Sequence, residues 1–135
     1  MFRSLALALA LTTALAGCAK PGLPEQVADA FVDAYFRGAD QEKAKEYTAL
    51  GATEMLEREL REVAQLRKDG YTPSEAGGGD VEIHRGESSR RDQRIRFPYE
   101  IVVRNDGKKT VRDADVELAN IRGTWKVVRV GLTQR

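Results

Sequence analysis

The spacing of apolar residues changes once along the chain, around residues 71–79, and this change limits the folds that the sequence can adopt. Before it, apolar residues recur every three or four positions, as in Val27, Phe31 and Tyr35, which is typical of amphipathic helices. After it, they alternate with charged residues, most clearly across residues 94–104, as in half-buried strands. Helices followed by strands, rather than alternating with them, indicate an α+β fold with an antiparallel sheet.

Three helices are predicted in the N-terminal half. The first begins at Pro24, because proline suits the first turn of a helix, and it ends at Gly38. Asp40 is placed to cap a short second helix, which Gly51 closes. The apolar positions of this second helix are Ala44, Tyr47 and Leu50.

A longer third helix is predicted to follow Thr53 and to end near Lys68 and Gly70. Its spacing predicts one apolar face toward the core. The residues expected on that face are Leu56, Leu60, Val63 and Leu66 or Ala64.

Four strands are predicted after the glycine-rich segment at residues 77–79. Asn105-Asp106-Gly107 and Arg122-Gly123 are typical tight-turn sequences between strands. Pro98 cannot donate a backbone hydrogen bond, so we expect a sheet edge or a bulge there. The strands are expected around Val81 and Ile83, across Ile95 to Val103, across Thr110 to Leu118, and from Thr124 to Leu132.

The order of these elements resembles the nuclear-transport-factor-two-like, or cystatin-like, cone superfamily. The resemblance extends from Pro24 to Leu132 and rests on the first-helix pattern at residues 27–31, the break at residues 38–40 and the final strand with Trp125. It implies three helices packed on a curved, mostly antiparallel four-stranded sheet, with a cavity for a small apolar ligand or a peptide. It implies no particular reaction, since one scaffold hosts many functions.

An apolar stretch runs from Leu5 to Leu15 behind Arg3 and is interrupted only by Thr12 and Thr13. It is too short to span a bilayer as a helix, and it lacks the polar face of a helix that packs on a core. Its layout is typical of a secretion signal.

The end of this stretch, Leu15-Ala16-Gly17-Cys18, resembles the lipobox of bacterial lipoproteins. In that family the cysteine sulfur takes up a diacylglyceryl group, a step that requires a strong nucleophile. A peptidase then cuts ahead of the cysteine, and the small Ala16 and Gly17 allow close binding of the backbone. The resemblance implies that Cys18 is the acylated first residue of the mature protein, held in a lipid bilayer by its acyl chains.

The predicted organisation is therefore a signal peptide at residues 1–17, a lipidated tether at 18–23 and one domain at 24–135, a length that suits a single domain. In the lipoprotein family, an aspartate after the lipidated cysteine commonly retains the protein in the inner membrane. Here that residue is Ala19, so the resemblance implies a periplasm-facing location on the outer membrane.

The charge of the chain is balanced, with 22 Lys and Arg against 21 Asp and Glu. Removal of the signal takes away only Arg3, so the mature chain has equal numbers of acidic and basic residues. This balance argues against nucleic acid as the main partner. It also argues against membrane binding through a polybasic segment. Because Cys18 is the only cysteine, we expect no disulfide, and we expect neither a metal centre nor another cofactor.

Enzymes of the cone superfamily use a buried carboxylate opposed by a tyrosine or a protonated acid. Asp33, Tyr35, Tyr47 and Tyr99 are the candidates for such roles. Asp33, however, falls on the polar side of its helix together with Asp29, and Tyr99 follows an ordinary apolar alternation. We interpret Asp33 as a solvated charge and Tyr99 as a core aromatic residue, and we assign no catalytic residue.

Other polar candidates have simple structural interpretations. His84, the only histidine, is expected to face solvent because it alternates with Ile83. Residues 77–79 lack the Lys-Ser/Thr of a phosphate-binding loop, and Ser88 and Ser89 lack a nucleophile elbow. Trp125 on the terminal strand is interpreted as core.

Five arginines crowd one predicted hairpin and could form a basic ridge for an acidic partner or for lipid head groups. Acidic residues are interleaved with them, so a mixed solvated face is the simpler interpretation. The arginines are Arg85, Arg90, Arg91, Arg94 and Arg96, and the acidic residues are Glu82, Glu87 and Asp92.

Three functional hypotheses follow. The first is a non-enzymatic envelope module that binds a small hydrophobic ligand, a peptide or an envelope protein. The second is an isomerase-like or dehydratase-like enzyme acting on a small hydrophobic substrate, which needs a buried carboxylate facing the cavity. The third is a structural accessory subunit, which needs an exposed apolar patch on the sheet. A homodimer formed through the sheet is a further open alternative.

Lipidation at Cys18 can be tested by the intact mass of the natively expressed protein. We expect a mature chain that begins at Cys18 and carries added acyl groups, because the lipobox directs both modifications. The Cys18→Ser variant is expected to remain an uncleaved precursor without added mass. A wild-type chain with an unmodified cysteine would contradict the assignment.

Overall fold

The computed structural model describes residues 22–70 and 80–135. The predicted signal, the predicted lipobox and the glycine-rich segment 77–79 lie outside the described residues. Helices come first and strands follow, which confirms the predicted α+β class. The helices are α1 (Pro24–Val32), continued by a π-helical turn (Asp33–Arg37), α2 (Gln41–Lys45) and α3 (Leu50–Lys68), and the strands are β1 (Asp80–Arg85), β2 (Ser89–Arg91), β3 (Arg94–Asn105), β4 (Lys108–Ile121) and β5 (Thr124–Gln134).

Helix α1 begins at Pro24 as predicted, and the side chain of Gln26 accepts hydrogen bonds from the backbone N–H groups of Gly22 and Leu23. Its last turn widens into the π-helical turn, closed by a hydrogen bond of 2.9 Å from Gly38 N–H to Asp33 C=O. Such widened turns recur at functional sites. This one contains Tyr35, one of the candidate residues.

The prediction for α2 was correct at its start and wrong at its end. Asp40 caps the helix, since its Oδ1 accepts a 3.0 Å hydrogen bond from Lys43 N–H. The helix stops at Lys45, and Leu50 and Gly51 belong to the first turn of α3. The predicted start of the third helix after Thr53 is therefore also wrong.

The cause of this shift is a backbone connection between the helices and β5. Val127 donates a 2.9 Å hydrogen bond to Tyr47 C=O and accepts one of 2.9 Å from Ala49 N–H. Thr48, between them, forms a bridge with the same residue of β5. This pairing keeps residues 47–49 out of a helix, so α2 ends before them and α3 starts after them.

The inner face of α3 is shorter than its spacing predicted. Ala52 and Leu56 are buried, Leu60 and Val63 are half-buried, and Leu66 is 48% exposed. The C-terminal half of the helix thus extends beyond the sheet that covers its first turns. Gly70, with φ of 91°, follows the helix end as predicted.

The sheet has the order β1-β3-β4-β5, and β2 pairs with β3 beside β1, so there are five strands instead of the expected four. All named pairings between strands are antiparallel. Two-residue turns at Asp106-Gly107 and Arg122-Gly123 join β3 to β4 and β4 to β5, with positive φ at all four residues. These values are typical of the turns that match the twist of hairpin strands.

Pro98 lies in the interior strand β3, opposite a break in the neighbouring edge. β1 ends at Arg85 and β2 starts at Ser89, and the Pro98 C=O accepts a 2.8 Å hydrogen bond from Gly86 N–H within this break. The nitrogen of Pro98, which carries no hydrogen, faces the same break. No neighbouring strand needs a hydrogen bond from it there. The expectation of an edge or a bulge at Pro98 was therefore wrong: β3 is an interior strand, and the break between β1 and β2 accommodates the missing N–H.

The core lies between α1 and the face of the sheet that the helices cover, called the inner face below. Phe31 and Val32 of α1 are fully buried against it. A β-bulge in β5 opposite Glu117 and Leu118 inserts one extra residue, Val128, which is 5% exposed. The buried strand residues are Ile95, Phe97, Tyr99 and Ile101 of β3, Ala114, Val116 and Leu118 of β4, and Val127 of β5.

The close contact between Gly86 and Pro98 predicts that a side chain at residue 86 would destabilise the fold. A Cβ at residue 86 would lie 2.9 Å from Pro98 Cγ, whereas a Cβ at Gly131 would meet nothing closer than 4.0 Å. We expect Gly86→Ala to lower the free energy of unfolding in urea by about 1–2 kcal/mol through overpacking. Gly131→Ala, the matched control, should change it by less than about 0.5 kcal/mol. Equal effects of the two substitutions would contradict this account of the break.

Candidate functional site

One end of the inner face is left uncovered by the helices. Along β4, Val116 is fully buried, Ala114 is 1% exposed and Arg112 is exposed, although strand alternation puts all three on one face. On β5, Leu132 lies opposite Ala114 and is 46% exposed. We call this end of the inner face, with Arg112 and Leu132 on the sheet and Tyr35 and Glu59 on the helices, the cone mouth.

Tyr35 and Glu59 form the helical side of the cone mouth. The Tyr35 hydroxyl donates to the Glu59 carboxylate, with distances of 2.8 Å to Oε1 and 3.0 Å to Oε2. The Tyr35 ring stacks on Phe31 at 5.7 Å and meets Phe36 edge-on at 4.8 Å, which holds it in place. Burial, followed by the bond to Glu59, raises the pKa of Tyr35, while the positive charge of Arg112 lowers it.

A second polar cluster, the Asp29 clamp, joins α1 to the sheet. Asp29 Oδ1 accepts a 2.7 Å hydrogen bond from the hydroxyl of Tyr99, and Oδ2 accepts one of 2.5 Å from Arg85. The Arg85 guanidinium also lies 5.9 Å from the centre of the Phe97 ring. Burial, followed by the bond to Asp29, raises the pKa of the Tyr99 phenol well above its ordinary value. Asp29 is exposed on the polar side of the helix, as expected, and its carboxylate also contacts the sheet.

A cleft of about 610 Å³ opens beside this clamp. Its walls are the start of α1, the connection from β1 to β2 and two core residues of β3. Ser88 and Arg90 lie on these walls, so the structure places both candidates together there. The lining residues are Pro24, Glu25, Arg85, Gly86, Glu87, Ser88, Arg90, Ile95 and Phe97.

The outer face of the sheet is covered by ion pairs between neighbouring strands. Arg96 binds Asp115 at 2.6 Å, and Arg135 binds Asp113 at 2.7 Å and Glu100 at 3.3 Å. Such exposed pairs contribute little to stability, but they keep the surface polar. Arg104 also pairs with Glu82 on this face.

The five arginines of the predicted ridge do not form one surface. Arg85 turns to the inner face, whereas Arg94 pairs with Glu117 at 3.6 Å on the outer face, as Arg96 does with Asp115. The acidic partners of Arg94 and Arg96 lie on β4, the strand that pairs with β3. A mixed solvated surface is what the structure shows for this hairpin.

The remaining candidates lie where their simpler interpretations placed them. His84 faces solvent on the outer face, with Nε2 3.5 Å from a Glu82 carboxylate oxygen. Asp33 is exposed and paired with Arg37. Trp125 and Tyr47 are partly buried and pack against the core.

No group of three or more metal-ligating side chains occurs within residues 22–70 and 80–135. In the same part of the chain, no helix is both long and apolar enough to cross a membrane.

Sequence reasoning missed Asp29, Glu59 and Arg112. A signal for Arg112 was present, because it alternates in register with Ala114 and Val116 and must share their face. No comparable signal existed for Asp29 or Glu59, because their contacts depend on how the helices rotate over the sheet.

The partly buried Tyr35 and the buried Tyr99 predict a loss of stability in alkali. Tyrosine in an unfolded chain ionises near pH 10, whereas Tyr35 and Tyr99 keep their protons to higher pH in the folded protein because their pKa values are raised. The stability that each phenol contributes is therefore complete below about pH 10 and is lost as pH rises, by up to about 1.4 kcal/mol per pH unit for each tyrosine.

Urea unfolding between pH 9 and pH 11.5 measures this effect. Tyr35→Phe and Tyr99→Phe should each make the free energy of unfolding fall less steeply with pH. The slope should decrease by up to about 1.4 kcal/mol per pH unit, which corresponds to one proton. They should also lower stability at pH 7 by about 1–3 kcal/mol, because each loses a hydrogen bond to a carboxylate. A slope unchanged from wild type in both variants would contradict the assigned burial.

Comparison with known proteins supplies evidence on the fold. No family model matches the chain, and no curated protein matches it in sequence. Among solved structures, it is similar to a protein from Thiobacillus denitrificans described as a calcium/calmodulin-dependent protein kinase type II association domain, with a TM-score of 0.61 and 13% sequence identity. The alignment covers 86% of this chain and 99% of that chain. The likeness supports the predicted α+β cone fold of this chain.

Proposed function

We propose that this protein is a lipid-anchored, non-enzymatic module of the bacterial cell envelope, which binds a small ligand, a peptide or another envelope protein. The observation that carries the proposal is the sequence Leu15-Ala16-Gly17-Cys18 at the end of an apolar signal, directly ahead of a cone domain. The proposed location is the periplasmic side of the outer membrane, on the basis of Ala19.

The short tether supports a position close to the bilayer. Cys18 to Leu23 is six residues, which span at most about 20 Å when fully extended. Two or three acyl chains on Cys18 would hold the chain in the membrane far more firmly than a single chain does. The domain would therefore work within a short distance of the membrane surface.

The cone mouth supports binding as the activity. It combines an exposed leucine, Leu132, with an exposed cation, Arg112, on a face whose other members are mostly buried. Ligand sites typically join an apolar lining with a few polar groups that fix orientation. The cone mouth supplies one group of each kind, Leu132 and Arg112.

The enzymatic alternative rests on the pairing of Asp29 with Tyr99, since cone enzymes use a carboxylate and a tyrosine. A general base must direct a free lone pair toward its substrate. Here one carboxylate oxygen accepts from Tyr99 and the other from Arg85. This occupancy favours a structural clamp at Asp29 over a base.

The accessory-subunit alternative would be favoured by an apolar patch on the sheet. The outer face instead carries cross-strand ion pairs, such as those of Arg96 with Asp115 and Arg104 with Glu82. This polar surface favours contact with water over burial against a partner. The proposal therefore assigns binding to the cone mouth rather than to the outer face.

Separation of inner and outer membranes from the native bacterium tests the anchor and the location together. We expect the wild-type protein in the outer-membrane fraction and Ala19→Asp in the inner-membrane fraction, because aspartate at this position retains lipoproteins of this kind. Ala19→Ser is the matched control and should fractionate like wild type. Recovery of wild type in the soluble fraction would refute the anchor, and identical distributions of wild type and Ala19→Asp would refute the sorting argument.

A further inference from the structure

Among the described residues, three arginines lie on the inner face of the sheet by strand register, and two of them, Arg90 and Arg112, form no ion pair. Arg90 lies opposite Ile95 and lines the cleft that Glu25 and Glu87 also line. Strand pairing places Arg85 opposite Tyr99 and Arg112 opposite Ile101. Arg85 binds the Asp29 carboxylate at 2.5 Å. Arg112 has no carboxylate within 4.0 Å in the part of the chain that the structure describes.

The neighbours of Arg112 on the sheet are mostly apolar. Ile101, directly opposite on β3, is fully buried, and Ala114, two positions along β4, is 1% exposed. On β5, Gln134 lies directly opposite Arg112, and Leu132 is its diagonal neighbour at 46% exposure. Diagonal neighbours on one face are within reach of long side chains. An exposed guanidinium therefore adjoins an exposed aliphatic surface.

The charges around Arg112 determine how much negative charge a ligand at the cone mouth should carry. The Glu59 carboxylate, on α3, accepts a hydrogen bond from the Tyr35 hydroxyl on the helical side of the cone mouth, and the charge of Arg112 lowers the pKa of the same phenol. A single negative charge can pair with the guanidinium of Arg112. A second negative charge would be repelled by the carboxylate of Glu59.

We propose that the cone mouth binds a monoanionic amphiphile, a carboxylate with an aliphatic chain, whose carboxylate pairs with Arg112 and whose chain lies against Leu132. This proposal rests on the proposed function as a binding module and names the class of ligand. Arginine suits the role because its guanidinium binds a carboxylate through two parallel hydrogen bonds. The exposed leucine supplies apolar area that a bound chain removes from water.

Calorimetric titration with three eight-carbon probes tests the proposal: octanoate, 1-octanol and octyl phosphate. The chain in every sample begins at residue 18 and carries Cys18→Ser, so that acyl chains, the apolar signal and detergent are all absent. We expect Arg112→Gln to weaken octanoate binding roughly tenfold or more, since it removes a charge-assisted hydrogen bond. Binding of 1-octanol should change less than about twofold, because it carries no charge to pair.

Arg129→Gln is the matched control, because Arg129 is also exposed and lacks an ion pair among the described residues, but it lies on β5 opposite Glu117. It should leave all three affinities unchanged. Glu59→Gln should strengthen binding of octyl phosphate relative to octanoate, since it removes the repelling charge. Circular dichroism and melting temperature establish that each variant is folded.

Equal octanoate affinities of wild type and Arg112→Gln, or equal losses in Arg112→Gln and Arg129→Gln, would overturn the proposal. Absence of octanoate binding to the wild-type domain would overturn it as well. These failures leave the membrane fractionation result untouched. Conversely, a soluble wild-type protein that still binds octanoate through Arg112 would refute the anchor and leave the ligand site standing.

Discussion

The apolar inner face of the sheet must be covered, and α1 covers it. Phe31 and Val32 are fully buried there against strand residues such as Val116 and Leu118, which are themselves fully buried. Burial of side chains of this size contributes about 1.5–3 kcal/mol each and is the main force available to a domain without disulfides. The positions of the other helices follow from this contact, because the chain after α1 must return across the same sheet.

The return is fixed by the backbone pairing of Val127 with residues 47–49. It joins the α2–α3 connection to the interior of β5, next to the bulge at Val128. Helix α3 therefore starts over β5 and runs past the buried part of the sheet, which leaves Leu66 exposed. The same arrangement leaves the first residues of β4 and the last residues of β5 uncovered, so the cone mouth results from where the helices attach to the sheet.

Local sequence patterns correctly predicted the parts of this fold that depend on interactions between residues close together in the sequence. The alternation across β3, the positive-φ turns at Asp106-Gly107 and Arg122-Gly123 and the cap at Asp40 each depend on a few neighbouring residues. The end of α2 could not be predicted in the same way. Its apolar spacing continued through Leu50, but pairing with Val127, nearly 80 residues later, overrode helix propensity.

The same distinction between local and long-range contacts applies to the candidate site. The solvent-facing position of His84 followed from strand alternation, whereas the Asp29 clamp joins residues separated by 56 and 70 positions and needed the structure. The predicted lipobox lies outside the described residues, so that prediction rests on the sequence alone.

The geometry of α1 relates the proposed anchor to the proposed ligand site. The tether enters the domain at Pro24, and the cone mouth begins at Tyr35, eleven residues later on one continuous helical segment. At 1.5 Å per residue, the two points lie about 16 Å apart along that segment. A tether of up to about 20 Å is longer than this separation, so both ends of the segment would be within reach of the bilayer. Two routes to Arg112 would therefore be open to an amphiphile, one from the aqueous periplasm and one from the membrane that holds Cys18.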